Sequence, residues 1–364
     1  MVGGFGINLR PSASGGVCGR HSCGLRNSLL SKMGCGASSA ATGGGGKNAV
    51  NLKGKGASSL SGIKPSTQEL DISDNASLTS LDQVGSLTSL VKLDASACAI
   101  TAVPAEIEKC TVLEELLLFA NKIKEVPASL STLEELTTVN LFNNTLKKLP
   151  PDLGKLAKLE EVNFAANKLM MLTDAHFTSW ARVKILSLYD NNLVRMGSLA
   201  PLTALEEVRL SGNNLEEMPT LSSHPSLTVF EIHKNRISTI PGDYFAATPG
   251  LQRLSIWGCM LTSLPGSLAA CDVLVGVQAQ ENQIASLPSG PWPATLETFF
   301  IQDNPPLEHI PKELNDCCPS LKRVNLSHLK LDSSSMEVAS ALQDKCLANK
   351  DGIFWGTNGM KLAN

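Results

Sequence analysis

Aromatic residues are scarce in this chain. Its 364 residues include only 10 Phe, 4 Trp and 2 Tyr, or 4%. With so few rings, any alignment of them carries information. Acidic residues are absent from 1–68, which hold eight Lys/Arg, whereas the remainder carries 23 Lys/Arg against 34 Asp/Glu, a net charge of −11. An acidic array lacks the basic footprint that nucleic-acid binding requires. No run reaches the roughly 18 apolar residues needed to span a membrane, and residues 1–20 lack the apolar stretch of a secretory signal.

What the sequence does have is a period. Asn75, Asn121, Asn144, Asn167, Asn191, Asn213, Asn235, Asn282 and Asn304 recur every 22 to 24 residues, or about twice that where Cys98 or Cys259 fills the slot. Around each slot a frame returns: Leu113, Leu116, Leu118, Asn121, Ile123, Val126 and Pro127 in one copy, and Leu205, Val208, Leu210, Asn213, Leu215, Met218 and Pro219 in another. The pattern L-x-x-L-x-L-x-x-N-x-L-x-x-L-P is that of the leucine-rich repeat. Side chains alternate across a short strand, so frame leucines point inward and the residues between them line the other face. Asn at the turn can bond backbone groups of its own and the neighbouring coil, giving a ladder. The Pro that follows, as at Pro104, Pro150 and Pro265, ends the strand path and starts the opposite side.

The expected fold class is therefore α/β: a leucine-rich repeat solenoid, a curved horseshoe with a parallel sheet on the concave face and short helices or 3₁₀ turns, such as 128–135, on the convex face. About twelve coils give a spine on the order of 50–60 Å. Three segments are expected: 1–65, a disordered basic Gly/Ser-rich segment; 66–332, the solenoid; and 333–364, a capping helix and tail. In the tail, Met336, Ala339, Leu342 and Cys346 have helical spacing and Ile353-Phe354-Trp355 forms an apolar cluster. A further column, three residues before each first Leu, holds Cys110, Leu133, Leu156, Trp180, Leu202, His224, Cys271 and Cys318, which makes the His a core position rather than a ligand. Five of the seven cysteines after residue 66 fall in such repeat slots. They read as packing residues rather than a disulfide framework, and a reducing intracellular compartment is expected.

The position two before the Asn slot runs through Phe119, Phe142, Tyr189, His233 and Trp257, with Phe300 on an adjacent column. Packing does not require rings there. Exposed aromatic and Arg side chains anchor interfaces, so Phe119, Phe142, Tyr189, Arg209, His233, Arg253, Trp257 and Phe300 are the candidate partner-binding residues. Glu69, Glu115, Glu161 and Glu207 share a neighbouring position, as a solvated stripe or as a contact for a basic partner face. The scattered His176, His224, His233, His309 and His328 form no catalytic constellation with a nucleophile.

The N-terminal segment holds Met33-Gly34-Cys35-Gly36-Ala37-Ser38, an N-myristoylation signal with a second acylation position at Cys35 if translation starts at Met33. Two chains make a stable anchor where one is marginal, and Lys47, Lys53, Lys55 and Lys64 would favour an anionic leaflet. Two readings stand beside this. Residues 1–32, with Arg10, Arg20, Arg26, many Ser and no acids, have the composition of a plastid or mitochondrial transit peptide; or the segment is a plain tail. Gly46-Lys47 falls short of a phosphate-binding loop, since Ala41 and Asn48 break the pattern. Cys18, His21, Cys23 and Cys35 match no closed zinc spacing, so no metal or other cofactor is expected.

The coils of about 23 residues ending in Leu-Pro resemble the intracellular leucine-rich repeat proteins of the Ras-group-related family over roughly residues 66–332. The resemblance implies a signalling or assembly scaffold with a protein partner, such as a small GTPase or a phosphatase. The expectation is a non-enzymatic, monomeric, cytoplasmic adaptor, held at a membrane if acylated. A soluble regulatory subunit of a phosphatase or ubiquitin ligase complex is the alternative.

Overall fold

The structure, a computed structural model, describes residues 48–357. Gly34 and Cys35 lie outside the described residues. The described chain is a leucine-rich repeat solenoid built on one 14-stranded sheet whose strand order is the chain order. Every strand is three residues long and pairs in parallel, as in Leu93↔Leu116, Leu116↔Val139 and Val139↔Val162. Between Glu69 and Asn325 the middle residue of each strand is buried, including Leu70, Leu116, Leu186, Leu254 and Val324. One hydrophobic core runs the length of the array, so each coil supplies the apolar surface that its neighbours need.

On the side opposite the strands, 3₁₀ turns at Ala105–Lys109, Ala128–Thr132, Pro151–Lys155 and Gly266–Ala270 each follow an extended proline: Pro104, Pro127, Pro150 or Pro265. A fixed φ near −65° and no amide hydrogen suit a residue that closes one backbone path and opens another. The column of Cys110, Leu133, Leu156, Trp180, Leu202, His224, Cys271 and Cys318 is fully or almost fully buried. Its thiols, indole and imidazole each bond a carbonyl of the preceding coil through one atom. Cys110 Sγ meets Val84 O at 3.3 Å, Trp180 Nε1 meets Leu153 O at 2.9 Å, and His224 Nε2 lies 3.1 Å from Leu199 O.

The asparagines form the expected ladder. Asn144 Nδ2 donates to Leu141 O (3.1 Å) and Phe142 O (3.3 Å) in its own coil and to Leu118 O (2.9 Å) in the coil before, while Oδ1 accepts from Ile123 N (2.9 Å). Asn121, Asn167, Asn213 and Asn282 repeat the pattern. In the substituted slots, Cys98 Sγ reaches Ile72 O at 3.5 Å and Cys259 Sγ reaches Ile232 O at 3.6 Å. The residue just before each slot is left-handed, from Asp74 (φ 58°) through Ala120 (54°), Asp190 (52°) and Lys234 (55°) to His328 (63°). That turn aims the next side chain, the Asn, back into the core. The frame leucines do not announce it, because Ala, Asp, Asn, Lys, Glu and Gly all occupy the position.

Three expectations need correction. The array starts before residue 66: Ala49–Asn51 pairs with Glu69–Asp71, Asn75 Nδ2 bonds Leu52 O (3.0 Å), and Leu60 is 3% exposed. Residues 48–65 are thus a first coil. Val50, Leu52 and Leu60 carry its apolar frame, and Lys55 stands where Asn would mark the slot. At the other end, the helix Ser333–Leu347 does not close the array. It leads to Ile353–Trp355, which pairs with Arg323–Asn325 as the last strand. Its N-cap is Asp332, whose carboxylate accepts from Ser335 N. Third, Phe300 is 6% exposed rather than displayed, since Trp355 lies over it at 5.9 Å in an edge-to-face arrangement. Asn325, on the strand between them, is short enough to let the two rings meet.

Candidate functional site

Period-two alternation puts the first and third residue of every strand, and the position two before each Asn slot, on the outward face of the sheet. Phe119, Phe142, Tyr189, His233 and Trp257 stand there half-buried. Two groups of rings result. Phe142 and Tyr189 approach to 6.0 Å with an interplanar angle of 44°. They belong to alternate coils, with Ala165 between them leaving the gap they close. Further along, His233 stacks on Trp257 at 4.6 Å and 11°. Lys234 Nζ lies 4.8 Å from the Trp257 ring, a cation–π distance.

Polar groups fix the second pair. Ser255 Oγ lies 3.0 Å from His233 Nδ1 and donates to Gln278 Oε1 at 3.3 Å. One arrangement satisfies both contacts: a neutral imidazole donating from Nδ1 to Ser255, which donates onward to Gln278. Burial, aided by the Lys234 charge, lowers the His233 pKa to about 4, so the ring is neutral at ordinary pH. In this arrangement His233 gives a proton to the hydroxyl rather than taking one, the reverse of what a nucleophilic serine needs. Among the described residues, the imidazole's hydrogen-bond partner is the Ser255 hydroxyl rather than a carboxylate. The chemistry on display is that of a rigid, flat, partly apolar platform.

Beside it, Arg209 forms ion pairs with Glu207 and with Glu231, the latter at 3.7 Å, and its side chain is only 14% exposed. Arg209 is therefore a brace within the face rather than a free anchor. Burial raises the Glu231 pKa, with Arg209 and Arg253 opposing. Arg253 is exposed and is the more available cation. The glutamate stripe is partly neutralised, since Lys92 pairs with Glu115 at 2.5 Å. Of the candidates named from sequence, the structure brings together His233 and Trp257, places Arg209 and Arg253 on the two strands flanking Val229–Glu231, pairs Phe142 with Tyr189, and removes Phe300 from the accessible set. The Ser255–Gln278 support was missed, although both fall on outward strand positions that the period identifies.

Among the described residues, no group of three or more His, Cys, Asp or Glu is placed to hold a metal ion, and the described cysteines are free thiols. No helix of the described residues is long and apolar enough to cross a membrane.

Comparisons with known proteins agree with this architecture. A leucine-rich repeat family model matches residues 157–215. The chain is 28% identical to lumican of Gallus gallus over 187 residues, covering 49% of this chain and 52% of lumican. It is 25% identical to osteomodulin of Bos taurus over 189 residues, covering 48% of this chain and 42% of osteomodulin. The chain thus spans about half the length of the curated relatives it matches. Among solved structures, an internalin of Listeria monocytogenes superposes with a TM-score of 0.64 at 20% identity, covering 78% of this chain and 85% of that one. A leucine-rich repeat protein of Leptospira interrogans gives 0.52 at 20% identity, covering 82% and 94%. At such identities the structural likeness speaks to the fold.

Proposed function

We propose that this leucine-rich repeat chain is a non-enzymatic scaffold that binds a protein partner on the outward face of its sheet, as an adaptor in intracellular signalling. The observation that carries the reading is the ring column. In a chain with 4% aromatics, Phe119, Phe142, Tyr189 and Trp257 share one outward register and stay half-exposed. Rings held rigid by stacking lose little entropy on binding and fill partner pockets well. Acidic residues at the same face (Asp71, Asp94, Glu115, Glu161) favour a partner with a basic rim around an apolar centre. A small GTPase or phosphatase is the partner class that the resemblance to the Ras-group-related proteins suggests. Acylation at Gly34 and Cys35 from a start at Met33 is the tether in this reading. The mass of the N-terminal peptide from native cells tests it, and a peptide beginning at Met1 or Val2 would reject it.

The interface itself is tested with Phe142→Ala and Trp257→Ala, singly and together. Both rings are half-exposed, so the variants should melt close to the parent. The double variant should lose capture of the main native partner by at least about tenfold. Full capture by a folded double variant would refute the ring column as the interface.

A further inference from the structure

Residues 48–357 carry 25 Lys/Arg against 34 Asp/Glu, yet one flank of the array inverts that balance. Just after the Asn slots of four consecutive coils stand Lys122 and Lys124, then Lys147 and Lys148, then Lys168, then Arg195, all exposed. Backbone bonds hold these segments in register: Thr145 N to Ile123 O, Lys168 N to Leu146 O, and Val194 N to Met170 O. Neighbouring backbone segments therefore lie about 4.8 Å apart along this flank, and the cations fall on adjacent or alternate coils of one strip. Among the described residues, none of the six has a carboxylate within ion-pair distance. Glu125 is the one acid among them, and the charge turns negative again at Glu216 and Glu217 in the following coil.

Inside this basic field sit Met170 (61% exposed) and Met171 (59%), more open than any other large apolar side chain of the described residues, with Val194 (40%) beside them. Core packing does not explain them, since Leu169 and Leu172 fill the inward positions of that coil. Unpaired cations around protruding unbranched apolar chains suit a surface with anionic charge outside and hydrocarbon beneath. A polypeptide strand would need free backbone groups to pair with, but the amides of Lys124, Lys168 and Val194 already bond the neighbouring coil. We propose that this flank docks on an anionic lipid surface, the cations meeting phosphate headgroups and Met170 and Met171 entering between them. The proposal is independent of N-terminal acylation and leaves the ring-bearing face free for a partner.

The test is co-sedimentation of the full chain with phosphatidylcholine vesicles, with and without phosphatidylserine. The chain should bind only the phosphatidylserine vesicles, and added salt should release it. Replacing Lys147, Lys148 and Lys168 together by Gln should weaken binding about a hundredfold. Met170→Ser with Met171→Ser should weaken it about tenfold, and all these side chains are exposed, so thermal melts should stay near the parent. Because the basic residues of 1–47 also attract anionic vesicles, undiminished binding of the folded lysine variant would overturn the proposal and assign any binding to the N-terminal segment. No vesicle binding by the parent, with retention on a polyglutamate resin that depends on the same lysines, would overturn it in favour of an acidic polypeptide.

Discussion

Replacing Asn144 probes how the coils are joined, and the structure gives the magnitude. The three carbonyls served by its Nδ2 each keep another donor. Leu118 O also accepts from Asn121, Leu141 O from Asn167, and Phe142 O from Ala120 N. The Ile123 amide has only Asn144 Oδ1, at 2.9 Å. In Asn144→Ala, the main penalty is one buried N–H left without a partner, about 1–3 kcal/mol. A smaller loss from three weakened carbonyl contacts brings the total to about 2–4 kcal/mol. Asn144→Asp keeps an acceptor for Ile123 but turns the donor side into an oxygen facing three carbonyls. It should be worse than Ala at neutral pH and recover partly in acid, where the carboxyl protonates and donates again. Asn144→Cys, which copies the slots at 98 and 259, should be the mildest. Urea unfolding followed by far-UV circular dichroism ranks the three variants. A loss below about 0.5 kcal/mol for Ala, or Asp tolerated as well as Cys, would refute this account of the ladder.

The converse change, Cys259→Asn, should stabilise by about 0.5–1 kcal/mol, because a weak thiol acceptor near the Ile237 amide becomes a carboxamide; an unchanged urea midpoint would argue against it. Burial pushes the thiols of Cys110, Cys271 and Cys346 up to about 11 and that of Cys318 up to about 12. Iodoacetamide at mildly alkaline pH should therefore spare all four until the array unfolds, as read by peptide mass spectrometry. His233, with its pKa lowered to about 4, takes up its proton later than in the unfolded chain. Its contribution is intact above about pH 6.5 and is lost as pH falls toward 4, by up to about 3 kcal/mol. Glu231, raised by burial, acts in the opposite sense, so the group is best followed directly through quenching of the Trp257 ring it stacks on. A fluorescence midpoint near 6.5 would contradict the neutral, buried imidazole.

The period made most of the fold legible. Leucine spacing located the strand middles, the Asn slots located the turns, and equivalence between coils was enough to identify His224 and Trp180 as packing residues. The first and last described coils were less legible for a physical reason: among the described residues each pairs with one neighbouring strand, and the frame relaxes. Lys55 replaces Asn in the first, and in the last a helix, Ser333–Leu347, takes the place of the 3₁₀ turn. The outward column was readable because alternation is strict in a three-residue strand. What alternation could not supply was whether a ring is covered from two strands away, as Trp355 covers Phe300, or whether a cation is occupied, as Arg209 is by Glu207 and Glu231. Both depend on side-chain lengths in coils that are distant in sequence. The basic flank was hidden for a related reason, since its lysines lie 23 or so residues apart and look unremarkable one coil at a time.

The most direct test of the partner-binding face is site-specific photo-crosslinking of the full chain in its native cells. A photoreactive residue replaces the exposed Arg253 on the sheet face or, as a control, the exposed Lys155 on the 3₁₀ side. The account predicts a discrete crosslinked partner from position 253, diminished by Phe142→Ala with Trp257→Ala, and none of that product from position 155. The same partner captured from 155 and not from 253 would place recognition on the other side of the solenoid and contradict the central claim.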